Sequence, residues 1–139
     1  MTHSGADIAN LLSAHGLRPS RALGQNFVAD PNTVRRIARL AEIGPDSSVL
    51  EFGAGLGSLT LALAETGARV VAVELDRYIL PVLRSVAEPI GAEVVEGDAM
   101  TLHVAALLAE RGSGPWSLVA NLPYNLATPL VFRTLVEVP

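Results

Sequence analysis

The chain contains no cysteine. A disulfide, a thiolate nucleophile and a Cys-based zinc site are therefore excluded, and no metal site is expected. Lysine is absent too: all ten basic residues are arginine. Charged residues make up only 17% while half the chain is hydrophobic, a balance that excludes a disordered polymer. No apolar run is long enough to span a bilayer as a helix, so no membrane partner is expected. Residues 1–7 lack the basic start and apolar run of a secretory signal, and the expected location is cytoplasmic. The net charge of −4 argues against nucleic acid, yet it is unevenly spread. Residues 1–44 carry +2 and the remainder −6. A basic end on an acidic body fits either an RNA contact or a solvated helix face.

The 139 residues suffice for one domain with a real core. They are organised around Val49-Leu50-Glu51-Phe52-Gly53-Ala54-Gly55-Leu56-Gly57. A short apolar run runs into three glycines at alternate positions, and a helical stretch from Ser58 follows. Strand, glycine turn, helix is how an open α/β sheet builds a nucleotide site. A dinucleotide fingerprint wants G-x-G-x-x-G, but Ser58 stands at the third glycine's place. Glu51, aimed into the turn, would repel a pyrophosphate and suit an ammonium and a sulfonium. The pattern therefore favours S-adenosylmethionine over NAD; a glycine turn without a ligand is the plainer alternative.

Around this centre the spacing predicts further elements. A short helix over 7–15 stops at Gly16. Residues 17–29 form a lid bearing Gln25-Asn26, or else a loop whose Phe27 plugs the core. Asp30-Pro31 opens a helix with Val34, Ile37, Ala38 and Ala41 on its apolar face, ended by Gly44-Pro45. Residues 68–74 read as a second strand ending in Glu74, 21 positions after Gly53, where an acid meets a ribose in such sheets. Asp76 can cap a helix through Leu80, Val82, Leu83 and Val86, in which Pro81 either removes one hydrogen bond or delays the start. Residues 91–96 read as a third strand. Asp98 follows, placed to accept from the exocyclic amine of adenine, with Ala99 or Met100 as an apolar wall. Residues 104–111 read as a helix.

Residues 116–120 read as strand four, running into Asn121-Leu122-Pro123-Tyr124-Asn125. Thr128-Pro129 then starts a predicted helix through Leu130, Val131, Leu135 and Val136. In a 3-2-1-4 sheet the end of strand four lies beside strand one, where ligands bind. The amide oxygen of Asn121 and a main-chain carbonyl near Leu122, held outward by Pro123, can accept both hydrogens of an aromatic amine. That favours a pyramidal nitrogen with its lone pair aimed at a methyl donor. Tyr124 offers a ring for a flipped base.

Taken in order, Leu23-Gly24-Gln25-Asn26-Phe27-Val28, Glu51-Phe52-Gly53-Ala54-Gly55-Leu56-Gly57, Val73-Glu74-Leu75-Asp76, Gly97-Asp98-Ala99-Met100 and Asn121-Leu122-Pro123-Tyr124-Asn125 resemble the ribosomal RNA adenine dimethyltransferases. The resemblance implies a Rossmann-like class I S-adenosylmethionine-dependent methyltransferase fold, here truncated after the fourth strand and its helix. It implies N-terminal helices and a cofactor lid over 1–44, and the first half of the methyltransferase domain over 45–139. The family's C-terminal helical RNA-binding domain is expected to be absent. A cofactor shell of Asn26, Val28, Gly53, Glu74, Asp98 and Asn121 is implied, to which the reading of the residues adds Glu51, Gly55 and Ala99. Asn121, Leu122, Pro123 and Tyr124 form the catalytic set.

The implied reaction is dimethylation of two adjacent adenines near the 3′ end of small-subunit rRNA, on an immature 30S subunit, by an enzyme monomeric at full length. Macrolide-resistance enzymes, which modify 23S rRNA, share the scaffold but more often read Asn-Ile-Pro-Tyr. A non-catalytic RNA-binding assembly factor and an NAD-linked oxidoreductase are the rival classes. Ala54 replaces the family's usual proline, which is expected to loosen the turn slightly. As an amino-terminal portion with strand four at an open edge, the chain is expected to aggregate and be inactive alone.

Overall fold

The computed structural model describes residues 10, 13–16, 31–98, 101–112, 114–122 and 130–138. Its sheet is built outward from a central strand. β1 (Ser48–Phe52) pairs in parallel with β2 (Arg69–Glu74) on one side and with β4 (Gly114–Leu122) on the other. β3 (Glu93–Glu96) adds in parallel beyond β2, and β5 (Leu130–Val138) adds antiparallel beyond β4. The order β3-β2-β1-β4-β5 contains the expected 3-2-1-4 arrangement. The chain reverses its winding at β1, the point where open α/β sheets bind ligands.

Strands buried on both faces need continuous apolar runs, because successive side chains point to opposite sides. Val49, Val70, Ala72 and Val119 pack on one face beneath α1 (Pro31–Leu40), α2 (Ser58–Glu65) and α3 (Leu80–Ala87). Leu50, Val71, Val73 and Trp116 pack on the other with Leu108 of α4 (Val104–Ala109). The expected face of α1 is the buried one: Val34, Ile37, Ala38 and Ala41 all lie in the first cluster. Helix α1 stops at Leu40, before Gly44-Pro45, because Glu42 takes a left-handed conformation at φ 57°. Of the two expectations for Pro81, the delayed start holds. Asp76 caps a turn by accepting from Tyr78 N–H at 2.8 Å, and α3 begins at Leu80 with proline in its first turn.

Residues 130–138 correct the sequence reading. They form no helix but a nine-residue strand, paired with β4 from Gly114↔Val138 to Leu122↔Leu130. The segment reads Leu-Val-Phe-Arg-Thr-Leu-Val-Glu-Val, with apolar or β-branched residues at 130, 132, 134, 136 and 138 and both charges at odd positions. A short apolar run fits either period, and β-branched content with a free strand edge nearby decides for the strand. For the same reason β4 does not end the sheet with an open edge: β5 covers it. No helix among the described residues is long and apolar enough to cross a membrane.

Candidate functional site at the strand tips

The parallel register aligns the carboxyl ends of the strands. Phe52 sits opposite Val73 on β2 and opposite Ala120 on β4, and Glu74 sits opposite Glu96 on β3. The next residue along each strand is Gly53, Glu74, Gly97 and Asn121. The sheet thus brings the glycine turn, both later acids and the start of the Asn-Leu-Pro-Tyr stretch to one edge.

The turn itself demands glycine. Gly53, Gly55 and Gly57 have φ of 68°, 57° and 89°, a region costly for other residues. Gly57 is also crowded: a Cβ there would lie 3.2 Å from Leu83 Cδ1 and 3.2 Å from Val86 Cγ1. The turn is tied to β2, where the Val73 carbonyl accepts from Gly53 N–H at 2.9 Å and from Ala54 N–H at 3.2 Å. A proline at 54 could not donate, so alanine adds a tie that offsets its looser backbone.

Glu74 is 7% exposed and its carboxylate is ringed by backbone donors. Oε1 accepts from Gly55 N–H at 2.7 Å, and Oε2 accepts from Leu75 and Asp76 N–H, both at 2.9 Å. A carboxylate so close to the amide at the tip of the turn opposes a pyrophosphate there. Glu51, by contrast, meets the helix that follows the turn. It is 1% exposed and its Oε1 accepts from the Thr60 hydroxyl of α2 at 2.5 Å. Burial, with Glu74 nearby adding to it against the hydrogen bond from Thr60, pushes its carboxyl up to about 8. Near neutral pH Glu51 is therefore uncharged, and Glu74 rather than Glu51 opposes a phosphate at the turn.

Asp98 is half-buried past the end of β3, and its carbonyl accepts from Thr101 N–H at 3.0 Å and Leu102 N–H at 2.8 Å. The backbones of Asn121 and Leu122 pair with Val131 and Leu130 in the sheet. Asn26, Val28, Ala99, Pro123 and Tyr124 lie outside the described residues. The residue that the sequence reading missed is Thr60, fully buried and the partner of Glu51. Its signal was a threonine between two leucines in the first turn of the helix, nine positions after an acid. A separate groove between α1 and α2, lined by Arg35, Ala38, Arg39 and Thr66 among others, contains none of the expected site residues. Among the described residues, no group of three or more histidine or acidic side chains is placed to hold a metal ion.

Comparison with known proteins places this geometry. A family model described as ribosomal RNA adenine dimethylase matches residues 17–138. A protein of Streptomyces griseus named ribosomal RNA small subunit methyltransferase A is 47% identical over 135 residues, 96% of this chain and 46% of that protein. A Streptomyces coelicolor protein of the same name is 49% identical over 140 residues, covering 96% and 47%. The chain thus spans about half the length of the curated relatives it matches. Among solved structures, the 23S rRNA methyltransferase ErmE superposes with a TM-score of 0.52 at 28% identity, over 70% of this chain and 48% of that one. An RNA methyltransferase from Salinibacter ruber, in complex with S-adenosyl-L-homocysteine, gives a TM-score of 0.56 at 20% identity, over 81% and 97%. These likenesses show the Rossmann-like methyltransferase fold, with an antiparallel strand where the expected helix after strand four would lie.

Proposed function

The chain belongs to the ribosomal RNA adenine dimethylase family, and on that premise we propose that it carries the cofactor-binding half of an S-adenosylmethionine-dependent rRNA adenine dimethyltransferase. Its substrate is the pair of adjacent adenines near the 3′ end of small-subunit rRNA, met on immature 30S subunits in the cytoplasm during ribosome biogenesis. The enzyme works as a monomer at full length. The observation that carries this reading is the register that sets Gly53, Glu74 and the backbone of Asn121 along one sheet edge at the switch point. Relatives named for the small subunit are 47% and 49% identical, against 28% for the 23S enzyme, which favours the small-subunit substrate.

The described residues fit S-adenosylmethionine. When bound, it supplies a methyl group activated by a sulfonium. Glu74 takes the ribose: three backbone donors already sit on a carboxylate that offers about four acceptor sites, which leaves one for a hydroxyl. Gly53 and Gly55 leave room above the turn for the methionine portion, and Asp98 accepts from the adenine amine. Asn26 and Val28 close over the ligand, and Ala99 walls the ring. On the RNA side, Asn121 and the carbonyl near Leu122 hold the target amine by its two hydrogens, Pro123 fixes that carbonyl, and Tyr124 stacks on the flipped base. No strong base is needed, because the amine becomes acidic as it gains the methyl. Rate then comes from positioning and electrostatics.

Calorimetric titration tests the first half of this reading. The chain is expected to bind S-adenosylmethionine in preference to NADH; the reverse preference would revive an oxidoreductase. Radiolabel transfer to immature small subunits tests the second half and separates an enzyme from a non-catalytic assembly factor. Where transfer is measured, Asn121→Ala is expected to lower turnover far more than cofactor affinity. Collapse of cofactor binding in that variant would overturn the role given to Asn121.

A further inference from the structure

Three left-handed glycines within five residues give the turn no stiffness of its own, so its shape depends on what holds it. On the β2 side it is held by the Val73 carbonyl and the Glu74 carboxylate. On the α2 side, Glu51 stands two residues before the first glycine and Thr60 three after the last, and they meet beneath the turn at 2.5 Å. Both are sealed from solvent, at 1% and 0% exposure.

We propose that Glu51 and Thr60 are a positioning pair, which clamps the end of β1 to the first turn of α2 and so sets the shape of the glycine turn between them. A threonine hydroxyl in a helix ordinarily bonds back to a carbonyl three or four residues earlier. Thr60 instead donates across to another element. The pair is also a poor way to gain stability. A buried carboxyl with, among the described residues, a single side-chain partner is costly, and an apolar pair of similar volume would cost less. Geometry accounts for it where stability does not.

The clamp works with a proton on Glu51. Its register neighbours are Ala72 on β2 and Val119 on β4, neither charged. From α2 it faces the hydroxyl of Thr60, and the charged group that acts on it is Glu74 of β2. Burial and Glu74 both oppose a negative charge there. Loss of the proton would put a second anion under the turn, beside the carboxylate that takes the ribose.

The ligand arm of the test rests on the methyl-donor reading above; a second arm does not. Amide hydrogen exchange at residues 53–57 of the ligand-free chain, thermal stability, and S-adenosylhomocysteine affinity from pH 6 to 9 are measured for wild type, Glu51→Gln, Thr60→Val and the double variant Glu51→Leu/Thr60→Val. The double variant is expected to be at least as stable as wild type. Its turn amides nonetheless exchange faster, and its affinity is weaker, by roughly three- to tenfold. Thr60→Val follows it. Glu51→Gln, neutral and still an acceptor, keeps wild-type exchange at the turn at pH 7 and holds it at pH 9, where wild-type exchange quickens. Wild-type exchange and affinity in the double variant would overturn the clamp, and so would faster exchange spread evenly over the whole chain. A wild-type chain that binds no S-adenosylhomocysteine would sink the methyl-donor reading, and the exchange arm would still decide the clamp.

Discussion

A single carboxyl, Glu51, sets an unusual pH response. Its folded-state value is raised to about 8 by burial against an ordinary value of 4.5. Between those limits the folded protein holds a proton that the unfolded chain has released. Stability is therefore fully present below about pH 4.5 and falls as pH rises, by about 1.4 kcal/mol per unit at most, until about pH 8. Glu65 has the opposite sign. The hydrogen bonds from Arg35, at 3.1 Å, hold its carboxyl down to about 2, so its contribution is lost as pH falls. Both side chains of that pair are more than 30% exposed, and solvent screening keeps its effect small. Thermal melts from pH 5 to 8 are expected to show stability declining with pH in wild type and a flatter profile in Glu51→Gln. Parallel profiles would mean that Glu51 titrates normally.

Among the elements, the last strand and the glycine turn each carry a distinct expectation. β5 lies at the sheet edge, so alternate N–H groups face β4 and the others face away. Proline is tolerated on an edge strand only where the N–H points outward. Phe132→Pro, Arg133→Pro, Thr134→Pro and Leu135→Pro are therefore expected to fall into two classes alternating along the chain in chemical denaturation. A helix would be broken by every one of them, so a uniform loss would restore the helical reading. At the turn, Gly57→Ala combines a left-handed backbone with a methyl 3.2 Å from both Leu83 and Val86. A loss of about 2 kcal/mol or more is expected. It is read as a lower thermal midpoint.

Over the whole molecule, the two ends of the sheet do different work. The amino ends of the strands are locked together. Arg111 pairs with Glu93 at the start of β3 through two hydrogen bonds from Nε, at 2.9 and 3.1 Å, and donates to the Leu107 carbonyl of α4 at 2.7 Å. Arg69, at the start of β2, lies 5.3 Å over the Trp116 ring and donates to the Arg111 carbonyl. The carboxyl ends carry acids and glycines, tied to one another through the Glu74 carboxylate and the Val73 carbonyl. Arg111→Ala is expected to lower stability by about 1–3 kcal/mol. It should leave S-adenosylhomocysteine affinity unchanged, since Arg111 lies at the end of the sheet remote from the turn. A matching loss of affinity would show that the two ends are coupled.

The residue pattern alone determined the parallel α/β core, the apolar face of α1, the disturbance that Pro81 brings to the start of α3 and the placement of Glu74 at a strand tip. Each follows from a local rule: apolar runs of strand length, a cap, a proline, or a fixed distance from a glycine turn. Only the tertiary structure decided where Glu51 points, because a strand's alternation says which face a side chain takes and not which group meets it there. The partnership with Thr60 is a contact between two elements, and its consequence, a carboxyl that keeps its proton, follows from burial that no single segment carries. The conformation of residues 130–138 was decided the same way. Their pattern fits both periods, and the choice fell to an edge of β4 that exists only once the sheet has formed.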